Sequence, residues 1–476
     1  MKKTITILAL MLMAIHILNA QWVDLGTNTH PLNANNIIYS VVTDASGNVY
    51  AAGKFSYGDS AVQNYYVAKW TGDSAWVPLD TAGYKFNSYI YSLATDAAGN
   101  IYAAGAFTDD TVILNGNYAI YFYGNVFVAK YDGTRWTELG AHGVAPVPNV
   151  YGTAITTIAP DASGNVYAAG EFKDAGHYYY VSKWNGTAWA ELGTGSNALN
   201  ANNFISTIAT DQHGNVYAAG DFTDTTGARY VAMWNGTNWS ELGTGSNALN
   251  AVSVIHTITT DLTGTVYVGY QDSALNFYVA EWNGTGWAHV GTGSNALNAN
   301  NSINTLTTDA SGNLYAAGNF TDANVTQYVA KWNGTIWSEL GTGANILDPN
   351  GYILSVATDA AMNVYAAGYF TDGESKYYVA EYDPNTQTSG IRGINSAHLK
   401  VYPNPATDAF DISILHEPES DYHVTLCDLA GRVVVEKDFT GASVTMRRGE
   451  TDAGSYFIQV TDRHTSNTFQ KRVVFE

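Results

Sequence analysis

An aspartate that opens a turn returns along this chain at Asp44, Asp96, Asp161, Asp211, Asp261, Asp309 and Asp359, at intervals of 52, 65, 50, 50, 48 and 50 residues. A period near 50 means that the unit must be understood before any one residue is given a role. Each copy holds four short runs. In the fourth, Ile205–Thr210 alternates apolar and small polar residues, and Asp-x-x-Gly-Asn then turns the chain, because Asp, Asn and Gly tolerate left-handed backbone. Val216-Tyr-Ala-Ala-Gly220 follows, with small side chains that let neighbouring sheets approach. Tyr230-Val-Ala-Met-Trp234 is third, and Asn235-Gly236 reverses the chain into Trp239-Ser-Glu-Leu-Gly243.

Four antiparallel strands per unit predict one propeller blade each, so the fold class is all-β, with a seven-bladed β-propeller over residues 21–383. The seventh unit stops at Tyr378-Val-Ala-Glu-Tyr-Asp383 without the Trp-x-Glu-Leu-Gly run. Gln21-Trp-Val-Asp-Leu-Gly26 matches the missing piece. Pairing the two would close the ring and remove its open edges. With Gly-Asn-x-Tyr-x-x-Gly-x-Phe-Thr followed by Trp-x-x-Leu-Gly, the repeat resembles secreted propellers and is similar to repeats in fungal cortical cell-polarity marker proteins. That resemblance spans Trp22 to Asp383 and implies the fold, while propellers host many unrelated functions.

Residues 1–20 carry Lys2 and Lys3, an apolar run from Ile5 to Leu18 and a small residue at Ala20, the pattern of a secretory signal peptide. No later segment is apolar enough over a sufficient length to span a bilayer as a helix, so no integral membrane segment is expected once the signal is removed. The one cysteine, Cys427, allows no intrachain disulfide. Charge is uneven: residues 21–383 hold 30 acidic and 10 basic side chains, nearly all of the net −21. Nucleic acid and anionic membrane surfaces need basic patches and are therefore poor partners, whereas cations, neutral sugars and basic proteins fit.

Residues 384–397 read as a polar linker. Residues 398–476 show short alternating runs, including Phe410–Ile414 and His423–Leu429, which suggest a small Ig-like β-sandwich. Tyr402, Pro403, Asn404 and Pro405, then Asp428-Leu-Ala-Gly431-Arg432, Gly454-x-Tyr456 and the basic-apolar Lys471-Arg-Val-Val474 follow in order. These residues closely resemble the C-terminal sorting domain of the bacterial type IX secretion system. The resemblance implies passage of the inner membrane by the signal peptide and of the outer membrane by the C-terminal domain, with the secretion machinery as partner. It also implies a cut in the linker that leaves the propeller secreted or held at the outer-membrane surface.

Asp-x-Ser-Gly-Asn faintly resembles a calcium loop but lacks the distal bidentate Glu, and a hairpin turn accounts for it. No metal or cofactor is expected. The 12 tryptophans fall as cross-strand pairs such as Trp70 with Trp76 and Trp234 with Trp239, with Trp22 opposite Tyr382, so blade architecture accounts for them. The loops after the second run carry Asp109, Asp174, Asp224, Asp322 and Asp372, with Asp272 equivalent, and share a face with the Asn-rich loops between units. That acidic face is the candidate ligand-binding surface. Symmetry breaks most in the second unit, where insertions at 111–123 and 141–148 bring Tyr118, Tyr121, Tyr123 and His142.

Residues 21–383 contain only Arg135 and Arg229, which excludes a sialidase-like arginine triad, and Cys427 outside the ring excludes a Tyr–Cys copper oxidase. The histidines of the ring occupy different registers and form no metal-binding circle. The expectation is a secreted or cell-surface, non-catalytic propeller that binds a glycan or protein through its acidic loop face. A polysaccharide-acting hydrolase or lyase using carboxylates of that face, and a matrix display scaffold, are the alternatives.

Overall fold

The computed structural model describes residues 22–26, 32–57, 64–71, 75–79, 86–108, 125–140, 154–341, 346–384, 399–402, 404, 406–414, 420–428, 432–448, 451–463 and 468–475. The chain divides into two compact units, residues 21–384 and residues 385–476. The first is built of repeated four-stranded antiparallel sheets, seven among the described residues. Each sheet is a meander: in the fourth, Ile205–Thr210, Val216–Gly220, Ala232–Trp234 and Trp239–Glu241 lie side by side in chain order. In the last, Ile353–Thr358, Val364–Gly368 and Ala380–Tyr382 are joined by Trp22–Asp24, with Trp22 opposite Tyr382 and Asp24 opposite Ala380.

The turn between the first two strands is fixed by its aspartate. Asp211 Oδ1 accepts the backbone N–H groups of His213 and Asn215 at 2.8 and 2.9 Å, while Oδ2 accepts the Asn215 amide at 2.7 Å and the Tyr217 hydroxyl at 3.0 Å. Gly214 sits at φ 83°, where a side chain would strain the turn. The hairpin reading of Asp-x-x-Gly-Asn therefore holds. Its partner Tyr217, six residues on, is buried in the sheet and ties the turn to the core.

Neighbouring sheets are stitched by two series of hydrogen bonds, one along their first strands, called inner here, and one along their fourth, called outer. At the inner strands, Ser40 accepts the Leu93 N–H, Ser92 that of Ile158, Thr157 that of Ile208, and Thr207 that of Ile258. Thr257 and Thr305 continue with Leu306 and Val356, and Ser355 accepts from Val41 of the first sheet at 3.0 Å. At the outer strands, indole N–H groups donate to the preceding sheet: Trp76 to Leu25, Trp136 to Leu79, Trp239 to Leu192, and Trp22 to Leu340 at 2.8 Å. Each of these tryptophans also faces an aromatic ring across its strand pair, as Trp76 does Trp70 at 5.9 Å between tilted rings. Such a pair contributes about 0.5–1.5 kcal/mol beyond area burial.

Inner and second strands share one irregularity. The ladder slips between Ile205 and Thr207, leaving Ser206 as an extra residue, and the same slip recurs at Tyr39, Tyr91, Thr156, Asn304 and Leu354. The glycine of Ala-Ala-Gly makes this bulge possible, because a Cβ on Gly220 would overlap the Phe204 carbonyl oxygen.

The second unit holds a three-stranded sheet of Leu399–Tyr402, Ala409–Ile414 and Ser443–Arg447. A four-stranded sheet follows, with Asp421–Cys427 between Val433–Thr440 and Gly454–Asp462, and Thr468–Phe475 at its edge. Phe410, Ile412, Val424, Ile458 and Phe475 meet in one core. Asp428 and Arg432 close the turn before Val433–Thr440: the Asp428 N–H donates to the Arg432 carbonyl at 2.9 Å, and the Asp428 carboxylate accepts the Arg432 N–H at 2.9 Å and Nε at 2.7 Å. Among the described residues, no helix is long and apolar enough to cross a membrane.

Candidate functional site

The acidic loops spend their carboxylates on themselves. Asp174 Oδ1 accepts the Tyr178 N–H, Asp224 those of Thr226 and Ala228, Asp322 those of Asn324 and Thr326, and Asp372 those of Glu374 and Lys376, all at 2.8–3.0 Å. Asp272 does the same for Ala274 and Asn276. The Asn-rich loops are spent likewise. Asn202 and Asn300 clamp Thr223 and Thr321, accepting the backbone N–H and donating to the side-chain hydroxyl. The sheets thus keep these aspartates apart, each in its own turn. Burial first, then the Asp of the same sheet, pushes up the pKa of Glu191, Glu241 and Glu339. Asp109, Tyr118, Tyr121, Tyr123 and His142 lie outside the described residues.

The repeat departs from itself elsewhere, at the end of the inner strands beside those loops. The bulge residue there is Tyr39 and Tyr91 in the first two sheets but Thr156, Ser206 and Asn304 in later ones, with His256 at the matching place in the fifth. The residue after Ala-Ala-Gly varies beside it, as Lys54, Glu171, Asp221, Asn319 or Tyr369. Antiparallel pairing brings the two positions to one rim, since strand one begins where strand two ends. One side of that rim is aromatic. Tyr39 and Tyr91 are 5.3 Å apart between ring centroids, Tyr89 lies 6.2 Å from Tyr91, and Tyr352 lies 6.2 Å from Tyr369. Tyr352 and Tyr369 are 47% and 43% exposed. The other side is small and polar: Thr156 and Ser206 donate to the carbonyls of Ile205 and Ile255 in the next sheet.

Electrostatics follow the same division. Burial, then the Tyr369, Tyr91 and Tyr89 side chains, push the Tyr39 phenol up. Tyr91 is raised by burial and next by Glu171. Burial also raises the Glu171 carboxyl, although its side chain remains open to solvent. His256 is exposed in the same way and lowered by burial, with Asp221 pulling it back up. Asp221 is neutralised within the chain, where Arg229 Nε donates at 2.7 Å and Nη2 stands 2.6 Å away.

The far end of the inner strands carries an open depression of about 290 Å³ lined by Thr43, Asp44, Leu262, Asp309, Thr358 and Asp359. Asp44, Asp309 and Asp359 are each bonded to an Asn and a Tyr of their own turn. No group of three or more His, Cys, Asp or Glu side chains among the described residues could hold a metal ion.

Sequence reasoning missed the rim because a bulge leaves no mark in the hydrophobic pattern. The readable sign was variation, at the residue after Ala-Ala-Gly, inside a unit that otherwise repeats. In the sorting motif, Asn404 Oδ1 accepts the Val474 N–H at 2.9 Å, and the Tyr456 ring is buried while its hydroxyl donates to the Asp452 carbonyl. Tyr402 is 71% exposed, and Gly454 opens the strand that pairs with Thr468–Phe475, on which Lys471 lies opposite Ile458. Pro403, Pro405 and Gly431 lie outside the described residues.

Residues 400–476 match the model of the secretion system C-terminal sorting domain. That domain marks proteins secreted or attached at the cell surface by the type IX machinery. An endo-acting ulvan lyase of Formosa agariphila is 33% identical over 84 residues, which cover 17% of this chain and 16% of the lyase. The chain thus spans about a sixth of that relative's length. PorZ, a surface component of the type IX secretion system of Porphyromonas gingivalis, is similar at 14% identity and a TM-score of 0.49, over 93% of this chain and 59% of PorZ. The six-bladed propeller lectin of Aleuria aurantia is similar at 15% identity and a TM-score of 0.37, over 68% of this chain and all of the lectin.

Proposed function

We propose that residues 21–383 form one seven-bladed propeller, completed by Trp22–Asp24, that binds a glycan without chemistry at the inner-strand rim of its loop face. The two series of inter-sheet hydrogen bonds, each reaching from the last sheets back to Leu25 or Val41, support the ring. The aromatic side of the rim carries the functional reading: Tyr39, Tyr91 and Tyr369 gather where the repeat varies. Flat rings suit the C–H faces of sugars.

The hydrolase reading needs two carboxylates placed across one substrate. At the rim Asp221 is held by Arg229 and the loop aspartates are held in their turns, which leaves Glu171 there as a single carboxylate with no ion pair among the described residues. Binding of the full chain to an oligosaccharide array tests the proposal. It predicts retained binding with no product formed, and at least a tenfold loss for Tyr91→Ala. Depolymerisation of any bound glycan, or binding indifferent to Tyr91 and Tyr369, would overturn it.

A further inference from the structure

Glu171 and Asp221 occupy the same place in successive units, directly after Ala-Ala-Gly. The chain treats them differently. Asp221 receives the Arg229 guanidinium, whereas the residue matching Arg229 in the preceding unit is Tyr179, and no ion pair reaches Glu171 among the described residues. The insertions at 111–123 and 141–148 contain no lysine or arginine to supply one. Glu171 is exposed at the rim and open to a cation from outside the chain. The rim also shows what a cation does on its aromatic side: Lys54 Nζ sits 4.9 Å from the centre of the Tyr89 ring. Tyr91 neighbours Tyr89 and lies within electrostatic reach of Glu171. Both halves of an ammonium site, the carboxylate and the ring face, therefore have a filled counterpart in this same molecule.

We infer that the glycan taken at this rim bears free amino groups, one ammonium resting against Tyr91 and pairing with Glu171. This rests on the glycan reading above and specifies its ligand as a polysaccharide of unacetylated amino sugars. The net charge of the ring region, with 30 acidic against 10 basic side chains, draws such a polycation and repels sulfated or uronic chains.

Calorimetric titration of the full chain with a glucosamine oligomer and with the matching N-acetylglucosamine oligomer, at about pH 6 where carboxylates and such amines are both ionised, separates the two claims. The inference expects the free-amine oligomer to bind at least tenfold more tightly, and Glu171→Gln to abolish that preference without changing the thermal midpoint. Glu191→Gln, which removes an acid outside the rim, is expected to leave the preference intact. Equal affinity for the two oligomers, lost with Tyr91→Ala, would sink the amine claim and leave glycan binding standing. Binding of neither oligomer would overturn the amine claim, and binding of no glycan on the array would overturn both. Equal weakening by Glu171→Gln and Glu191→Gln would mean diffuse attraction and would also overturn the site.

Discussion

The Ser355 hydroxyl accepts the Val41 N–H at 3.0 Å and donates to the Val41 carbonyl at 3.3 Å, joining residues 314 positions apart. Thr207 makes the internal equivalent, accepting the Ile258 N–H at 3.2 Å. Removing either hydroxyl leaves a buried N–H unsatisfied, at about 1–3 kcal/mol. Ser355→Ala and Thr207→Ala should lower the urea midpoint by similar amounts. A neutral Ser355→Ala beside a costly Thr207→Ala would show that the first and last sheets do not meet in solution.

Two glycines of the fourth sheet should respond very differently to the same change. Gly227 is at φ 89° in open space, so Gly227→Ala costs on the order of 1 kcal/mol of backbone strain. Gly220 faces the Phe204 carbonyl oxygen, and Gly220→Ala must push the bulge apart. Thermal melts should show a much larger loss for Gly220→Ala. Equal losses would mean that the inner strand yields there.

Stability should form a plateau bounded by two residue types. Burial would raise Asp44, Asp96 and Asp211, but hydrogen bonds from Asn48, Asn100 and Asn215, from the tyrosines and from backbone N–H groups outweigh it and hold each below the ordinary 3.8. Lowered folded-state values add stability above pH 3.8, and it is lost as pH falls through them. Burial and the same aspartates raise Tyr50, Tyr102 and Tyr217 well above 10.0, so their contribution is complete below pH 10.0 and fades at higher pH. Urea midpoints should stay level between about pH 5 and pH 9 and fall outside that range. Asp211→Asn, which weakens one network, should shrink the acid-side fall; an unchanged acid limb would show that these aspartates do not set it.

Asn404 ties the Tyr-Pro-Asn-Pro motif to the final strand through Val474. Asn404→Ala should loosen that strand and reduce the fraction of protein at the cell surface, and deleting residues 400–476 should retain the rest in the periplasm. Normal surface delivery of the deletion, measured by cell fractionation, would refute the export route.

Much of the architecture could be read from residues. Asn235-Gly236 fixed a hairpin and the Trp234–Trp239 pair across it, and the match of Trp22–Gly26 to the missing run anticipated the Trp22–Tyr382 pair. The acidic loop aspartates were legible as a shared surface but not as spent groups. Their bonds run to backbone N–H groups, which every sequence contains and no residue name reveals. The rim was hidden for a related reason: Tyr39 and Tyr91 look like ordinary strand residues until the extra residue in the ladder turns them out of register.

The partner strand of Trp22–Asp24 lies 360 residues downstream at its first paired position, Trp22 with Tyr382, and 356 at its last, Asp24 with Ala380. Local hairpins form within microseconds, yet this sheet cannot finish until its distant partner has been synthesised and has left the ribosome. The leading end therefore stays unzipped longest. Chaperones and translocation pores act on chains in that extended condition, so delayed completion keeps the molecule threadable until it reaches its destination.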